Sequence, residues 1–208
     1  ERYGMILYEY YGATETGLNT AITPQEMKER PSSVGKAFIN NELKIYDEDG
    51  NEVPDGERGV LYMHNSIMMD GYYKNDQATS DAHIGKFMTA GDVAIRDEEG
   101  YIYIVDRVKD MIIRGGVNIY PVEIEGVMST MPEIADVAVV GKHDQELQET
   151  VAAFVVPAKG ATVTEENVQA FCKEHLANYK IPSTLIIVDE IPRTPTGKIL
   201  KRDLRERL

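Results

Sequence analysis

Cysteine is nearly absent from the sequence, since Cys172 is the single one among 208 residues. One thiol cannot form an intrachain disulfide or a cysteine-cluster metal site, which favours a reducing compartment, so we expect a cytoplasmic location. No apolar run approaches the roughly 20 residues that a bilayer span needs, so we expect no transmembrane segment. The sequence begins with Glu1 and has no leader of the secretory kind, which suggests a piece of a longer protein.

Positive charge is also scarce. The sequence has 22 Lys and Arg against 35 Asp and Glu, a formal net charge of -13 at pH 7. This charge repels phosphate backbones and anionic lipid at long range, so we expect no nucleic-acid partner. The four histidines show no ligand spacing, such as two histidines one helical turn apart, and we predict no histidine metal site.

The charge that is present is unevenly distributed. Residues 1–106 contain 9 basic and 20 acidic side chains, whereas residues 107–208 contain 13 and 15. This difference indicates two domains. Six of the later basic residues lie within residues 193–207. A local cationic end on an acidic protein suits a small anionic ligand better than a polymer.

Hydrophobic patterning differs between the two halves in the same way. Residues 41–47 and 60–64 are short runs separated by Asp-Gly pairs, a pattern typical of strands and tight turns. We therefore predict an antiparallel, barrel-like or sandwich-like portion in the first half. In the second half Pro121 can open a helix and Thr164 can cap another. The other predicted elements are strands at 135–140, 151–156 and 185–188 and a short helix at 199–208, which together describe a compact α+β domain.

Five stretches contain residue types suited to binding, and each also has an ordinary interpretation. Residues 10–17 combine aromatics, glycines, hydroxyls and a carboxylate, as in a nucleotide or Mg²⁺ loop or in a capped turn. Gly91-Asp92 could offer a carboxylate to ribose hydroxyls, or be a turn acid. Residues 106–110 have four charges and could be a linker. Residues 114–118 form a glycine turn or a wall beside a ligand, and Lys198 lies on a loop where most lysines are surface residues.

Taken together and in order, these stretches resemble the AMP-forming acyl-CoA synthetases, the superfamily that also contains peptide-synthetase adenylation domains and firefly luciferase. The flanking sequence, including ANYKIP at 177–182, most resembles the fatty-acyl and aryl acid CoA ligase branch. The matching segments are YGATE at 11–15, GD at 91–92, DR at 106–107 with KDMII at 109–113, GG at 115–116 with NIYP at 118–121 and EIE at 123–125, and PR at 192–193 with TGK at 196–198.

The resemblance implies an α+β fold with two domains. Residues 1–106 would be the C-terminal part of the AMP-binding N-terminal domain, with its barrel-like subdomain, and residues 111–208 a mobile α+β C-terminal domain. Residues 107–110 would be the hinge between them. The resemblance covers the whole chain but less than half of a full-length member. The upstream Ser/Thr/Gly-rich phosphate loop has no counterpart here, so we expect the isolated chain to be inactive.

The implied activity is that of an ATP-dependent acid–thiol ligase. Such an enzyme adenylates a small carboxylic acid, releasing pyrophosphate, and transfers the acyl group from AMP to coenzyme A, with Mg²⁺ bound. Two alternatives stay open. The chain could be a non-catalytic fragment or binding module, or it could belong to an adenylation domain that loads a carrier protein.

The resemblance also assigns roles by position. Tyr11, beside Gly12, would stack near adenine, and Thr14 would bond the α-phosphate or carboxylate region. Glu15 would bind Mg²⁺. Asp92 and Arg107 would bind the ribose hydroxyls.

In the remaining motifs, Lys198 would reach the substrate carboxylate and the α-phosphate. The C-terminal domain would rotate about Lys109, and this rotation would replace the lysine loop with the face formed by Gly115 and Gly116, where CoA would bind. Two stretches depart from the family pattern. Arg114 replaces a small residue common in relatives and could alter the CoA channel, and residues 143–149 lack the usual proline and glycine and are expected to form a surface turn.

Overall fold

The structure is a computed structural model that describes residues 6–208. The chain divides into two compact units, Glu1–Val108 and Lys109–Leu208, called here the first and the second unit. Among the described residues, no helix combines the length and the apolar character that crossing a bilayer requires.

The first unit consists of two antiparallel sheets and two short helices. Its strands are β1 (Glu9–Ala13), β2 (Gly17–Ile22), β3 (Lys36–Ala37), β4 (Glu42–Tyr46), β5 (Arg58–His64), β6 (His83–Ile84), β7 (Phe87–Arg96) and β8 (Ile102–Arg107), and its helices are α1 (Pro24–Glu29) and α2 (Asp76–Asp81). One sheet has the order β1-β2-β3, and the other has the order β4-β5-β7-β6 with β8 paired to β7. Both sheets are open, so the barrel-like portion that we expected is not a closed barrel in the described residues.

Side-chain alternation along β5 explains how its sheet is packed. Leu61 and Met63 point to one face and are buried with Ile45 on β4. Tyr62, between them, points to the opposite face and meets Tyr46 edge to face, with ring centroids 5.3 Å apart. Both faces of this sheet are therefore partly covered, and the sheet is a firm support for the residues on β7 and β8.

The second unit is a mixed sheet with helices on both sides. Its strands are β9 (Ile112–Arg114), β10 (Val117–Ile119), β11 (Ile134–Asp144), β12 (Gln148–Pro157) and β13 (Thr184–Ile187), and its helices are α3 (Pro121–Met128), α4 (Glu165–His175) and α5 (Lys201–Arg205). The sheet order is β10-β9-β12-β11, and β13 pairs in parallel with β12. Short 3₁₀ turns occur at Val108–Asp110 and Asn178–Lys180.

The central strands of the second unit are buried on both faces, which explains their near-continuous apolar sequence. On β11, Val139 packs in the core that contains residues of α3 and α4. Its neighbour Val140 packs on the opposite face with Phe154 and with Leu204 of α5. Cys172 is fully buried in the α4 core, and burial raises the pKa of its thiol, so it is a packing residue as predicted.

The predicted α+β class is confirmed, and so are several element starts. Pro121 is the first residue of α3, and the Thr164 hydroxyl accepts from the backbone N–H of Asn167 at the start of α4. The last helix is shorter than predicted, Lys201–Arg205 rather than 199–208, and it starts later because residues 193–199 form a turn closed by a β-bridge. Helices α1 and α2 were missed, since six residues are too few to show an apolar stripe.

Helix α1 begins with a reciprocal capping box. The Thr23 hydroxyl accepts from the backbone N–H of Glu26, and the Glu26 carboxylate accepts from the Thr23 backbone N–H at 2.8 Å. The Tyr101 hydroxyl donates to the other Glu26 oxygen, also at 2.8 Å. The Thr23 hydroxyl also donates to the carboxylate, at 2.7 Å, and this bond is the largest cause of the lowered pKa of Glu26, which is about 2; the Thr23 backbone N–H and the Tyr101 hydroxyl lower it further.

This arrangement predicts a specific loss of stability in acid. A carboxylate with a lowered pKa stabilises the fold above its unfolded-state pKa of about 4.3, and that contribution is lost as the pH falls towards 2. Glu26→Gln should therefore flatten the decline in stability between about pH 4 and pH 2, measured by urea unfolding at each pH. Glu29→Gln, on the same helix and exposed, is the matched control. Parallel pH profiles for both variants would contradict the assignment.

Candidate active site

The candidate site in the first unit starts at the turn between β1 and β2. Residues 14–16 form this turn, and the paired residues Ala13 and Gly17 close it. A Cβ atom added to Gly12 would lie 2.1 Å from the Gly17 carbonyl oxygen, so the close approach of the two strands requires glycine at that position. The structure thus explains Gly12 through the hairpin itself.

Hydrogen bonds from buried polar side chains fix this turn in place. The Asn19 amide donates to the Thr16 hydroxyl at 2.7 Å, and the Asn65 amide donates to the Thr16 carbonyl oxygen at 2.8 Å. All three residues are buried, and their mutual bonds compensate for the water that they have lost. We did not predict Asn19 or Asn65, because their separation in sequence conceals that they meet.

The two predicted polar residues of the turn have different surroundings. Thr14 is exposed. Glu15 is half-buried, its backbone carbonyl accepts from the Met69 N–H at 2.9 Å, and its carboxylate accepts from the Tyr72 hydroxyl at 3.4 Å. Burial, and then Glu15, raise the pKa of Tyr72, which therefore remains a hydrogen-bond donor. Among residues 6–208 no group of three or more His, Cys, Asp or Glu side chains is placed to bind a metal ion.

Asp92 is the centre of the site. It lies on β7 directly opposite Arg107 on β8, and its side chain is buried, with 8% of the residue exposed. Arg107 Nε donates to one Asp92 oxygen at 2.9 Å, and the Tyr11 hydroxyl donates to the other. Arg107 is fixed in turn by a 3.0 Å bond from Nη2 to the Ala90 carbonyl oxygen.

A backbone irregularity just before Asp92 accompanies this geometry. The register between β5 and β7 shifts between Val60 and Tyr62, so the segment just before Asp92 bulges. Gly91 in that segment has φ +83°, a conformation that glycine adopts without strain.

Burial, followed by the charge of Asp92, raises the pKa of the Tyr11 phenol, so the phenol stays protonated and donates.

The second unit contains the other predicted site residues. Lys198 is exposed on a turn that the bridge between Arg193 and Ile199 closes. Within that turn the Lys198 N–H donates to the Thr194 hydroxyl at 3.1 Å, and Gly197 has φ +88°. Lys109 is exposed in the 3₁₀ turn at the start of this unit.

The paired glycines form the tip of the β9–β10 hairpin. Gly115 and Gly116 have φ +57° and +80°, and Arg114 pairs with Val117 on either side of them, as in a two-residue turn of the type that demands left-handed residues. A Cβ atom on Gly116 would meet nothing within 4 Å, so the backbone conformation, rather than packing, calls for glycine there.

Both departures from the family pattern support this hairpin. Arg114 Nη1 donates to the Tyr179 carbonyl oxygen at 2.7 Å. In the stretch 143–149, the Leu147 carbonyl oxygen accepts from the Gly115 N–H at 2.8 Å. The stretch that we expected to be only a surface turn therefore contacts the glycine hairpin.

The structure brings Tyr11, Asp92 and Arg107 into direct contact, with Thr14 and Glu15 on the adjoining turn. Lys109, Gly115, Gly116 and Lys198 belong to the second unit. The site residues are thus divided between two compact bodies.

Comparison with known proteins identifies the family. Residues 1–73 match the family model described as AMP-binding enzyme, and residues 123–198 match the one described as AMP-binding enzyme C-terminal domain. The chain is 39% identical to a long-chain-fatty-acid–CoA ligase of Escherichia coli O6:H1 over an alignment of 203 residues. This alignment covers 98% of this chain and 36% of the relative.

Solved structures agree with the sequence matches. ATP-bound MatB from Rhodopseudomonas palustris superposes with a TM-score of 0.90 and 35% identity, covering 97% of this chain and 40% of that one. The o-succinylbenzoate CoA synthetase of Bacillus subtilis, in complex with its acyl-adenylate, gives a TM-score of 0.84 and 31% identity, covering 98% and 42%. The chain therefore belongs to the superfamily of adenylate-forming, AMP-binding enzymes. It spans about two fifths of the length of these relatives.

The contact between Tyr11 and Asp92 can be tested on its own. Tyr11→Phe removes one hydrogen bond to a charged, buried acceptor and should lower the free energy of unfolding by about 1.5 kcal/mol. Urea unfolding measures the change, and Tyr10→Phe, an exposed neighbour, is the matched control. Equal stability of the two variants would show that the phenol does not support Asp92.

Proposed function

We propose that the chain is part of an ATP-dependent ligase that converts a carboxylic acid to its acyl-adenylate and then to its CoA thioester. One observation carries the proposal. A buried carboxylate, Asp92, is held between Tyr11 and Arg107 at the positions where the family motifs place nucleotide-binding residues. The relatives named above, which act on a long-chain fatty acid and on o-succinylbenzoate by their names, support the reaction class and leave the acid open.

The nucleotide would bind to the first unit. Each Asp92 oxygen already accepts one bond and has lone-pair capacity left, so the carboxylate can also accept from the two hydroxyls of a ribose. Arg107 holds this carboxylate in a fixed orientation. Because its hydroxyl is engaged, Tyr11 has a fixed ring orientation, as stacking on adenine requires.

The turn between β1 and β2 suits the phosphates. Mg²⁺ is commonly bound by one or two carboxylates together with substrate phosphate oxygens, and the half-buried Glu15 carboxylate fits that donor set. When bound, Mg²⁺ would neutralise phosphate charge. Thr14, exposed beside Glu15, would donate its hydroxyl to the α-phosphate or the acid carboxylate.

In the first step an oxygen of the substrate carboxylate attacks the α-phosphorus of ATP. A new O–P bond forms, and the bond to pyrophosphate breaks, with the electron pair leaving on pyrophosphate. Lys198 would lie beside the carboxylate and the α-phosphate and stabilise the negative charge that gathers there. An ammonium group on an exposed turn can enter for this step and withdraw afterwards.

In the second step the CoA sulfur attacks the acyl carbonyl carbon. The C–S bond forms, the C–O bond to AMP breaks with its electrons on the phosphate, and the thiol proton passes to solvent. The open backbone at Gly115 and Gly116 would admit the pantetheine arm after the second unit turns about Lys109. AMP is a good leaving group, so no strong base is required.

Lys198→Ala tests the assignment of the lysine. In the full-length enzyme that contains this sequence, the variant should adenylate about a hundred- to a thousandfold more slowly, because the charge on the α-phosphate is no longer stabilised. Thioester formation from a preformed acyl-adenylate should be nearly unchanged. The measurements are pyrophosphate release and CoA thioester formation, with the exposed Lys159→Ala as the control. Adenylation at the wild-type rate would refute the role.

Lys109→Pro tests the hinge. Proline fixes φ near −65° and stiffens the chain at the position that we propose to rotate. The variant should still release pyrophosphate but should form thioester at least about tenfold more slowly, since the exchange of the lysine loop for the glycine hairpin is blocked. Equal loss of both half-reactions would rule out a hinge at this residue.

The same assay tests the acyl acceptor. Thioester formed only on a carrier protein, and not on CoA, would change the assigned acceptor.

A further inference from the structure

Arg205, at the end of α5, contacts the turn that begins the second unit. Its Nη2 donates to the Lys109 carbonyl oxygen at 3.2 Å and pairs with the Asp110 carboxylate at 3.2 Å. The Arg205 and Asp110 side chains are 30% and 15% exposed, so the pair is partly shielded from water and salt. One guanidinium therefore binds a backbone carbonyl 96 positions away in sequence and the carboxylate of the next residue, 95 positions away.

Helix α5 is itself fixed in the second unit. Leu204 is fully buried against Val140 and Phe154 of the central strands. At the other end of the helix, Lys201 pairs with Glu125 of α3 at 2.9 Å, with the two side chains 10% and 16% exposed. The same Glu125 oxygen accepts from the Val139 N–H at 2.8 Å. Helix α5 is therefore held by Leu204 in the sheet core and by Lys201 on α3.

These contacts restrict which backbone bonds can rotate near the start of the unit. Since the Lys109 carbonyl and the Asp110 side chain are bound to Arg205, the peptide between Lys109 and Asp110 moves with the second unit. The bonds before that peptide, ψ of Val108 together with φ and ψ of Lys109, lie outside this grip.

We propose that Arg205 is a positioning residue that anchors the C-terminal side of the hinge and confines the swing of the second unit to the backbone bonds that precede the peptide between Lys109 and Asp110. The inference rests on the proposed function, which requires such a swing. It also concerns Lys198, which lies three residues before α5. The helix that fixes the pivot therefore also carries the lysine turn.

The chemistry of arginine suits this role. Both acceptors are bound by one guanidinium nitrogen, Nη2, whose two N–H groups point in fixed directions in the guanidinium plane, whereas the N–H groups of a lysine ammonium rotate. Without the grip, rotation would spread over more bonds, and Lys198 would reach its proposed position in fewer orientations. The nucleotide residues Tyr11, Asp92 and Arg107 lie in the first unit, so ATP binding should not depend on Arg205.

The first experiment measures orientation directly. Spin labels on Glu57→Cys and Lys159→Cys, exposed positions in the first and second units, report the distances between the units in the full-length enzyme. Cys172 is fully buried and does not label in the folded protein. Arg205→Ala should broaden each distance distribution, Arg205→Lys should broaden it less, and Arg202→Ala, 85% exposed on the same helix, should leave it unchanged. Distributions of equal width in Arg205→Ala and wild type would overturn the proposal.

The second experiment separates positioning from binding. Arg205→Ala should reduce the kcat of adenylation by about tenfold or more, with the KM for ATP unchanged, because Lys198 is misplaced while the nucleotide site is intact. Asp110→Asn should give part of this loss. The double variant should be no worse than Arg205→Ala alone, because both substitutions remove the same contact between Arg205 and Asp110. A rise in KM without a fall in kcat, or additive losses, would contradict the anchor.

A folding defect and an inactive enzyme can each be distinguished from a failure of the Arg205 anchor. If Arg205→Ala unfolds at a lower temperature than the assay allows, Arg205→Lys and Asp110→Asn provide the same two readouts in milder form. A wild-type enzyme that makes no acyl-adenylate would refute the proposed function, whereas the spin-label widths would still decide whether Arg205 anchors the turn.

Discussion

The buried carboxylate of Asp92 is the constraint on which the first unit depends. A charge removed from water is stable only when nearby donors replace the lost hydration, and here a guanidinium and a phenol do so. Those donors come from β8 and β1, so the two open sheets must be placed together for the carboxylate to have both hydrogen-bond donors. The nucleotide site that we propose is this same cluster. Its geometry therefore follows from the hydrogen bonds that the buried Asp92 carboxylate requires.

The second unit is organised by a different requirement. Its central strands are apolar on both faces, which calls for cover on both sides of the sheet, and α3, α4 and α5 provide it. The residues that we assign to chemistry lie at the margins of this core, on turns whose conformation depends on glycine. A compact body with these turns at its edge suits the rotation that we propose for it.

Comparison of sequence and structure separates two kinds of information. The ordered motifs were enough to indicate the family, because chains that share a fold keep their site residues in the same order along the sequence. Local signals were enough for the starts of α3 and α4, because Pro121 has the backbone angle of a first helical residue and the Thr164 hydroxyl accepts from the first turn of its helix. The open form of the sheets and the short last helix were not predicted, because strand closure and helix length depend on packing partners far away in sequence.

By itself, then, the sequence determined the α+β class, the kinship with adenylate-forming enzymes and the candidate residues, all of which are written in residue type and order. Only the tertiary structure decided that Asn65 supports the turn beside Glu15, that Arg114 supports the glycine hairpin, and that Arg205 contacts the turn at Lys109. The physical reason is distance along the chain. Hydrogen bonds between residues tens of positions apart form only when the folded core brings them together, and no local pattern records them.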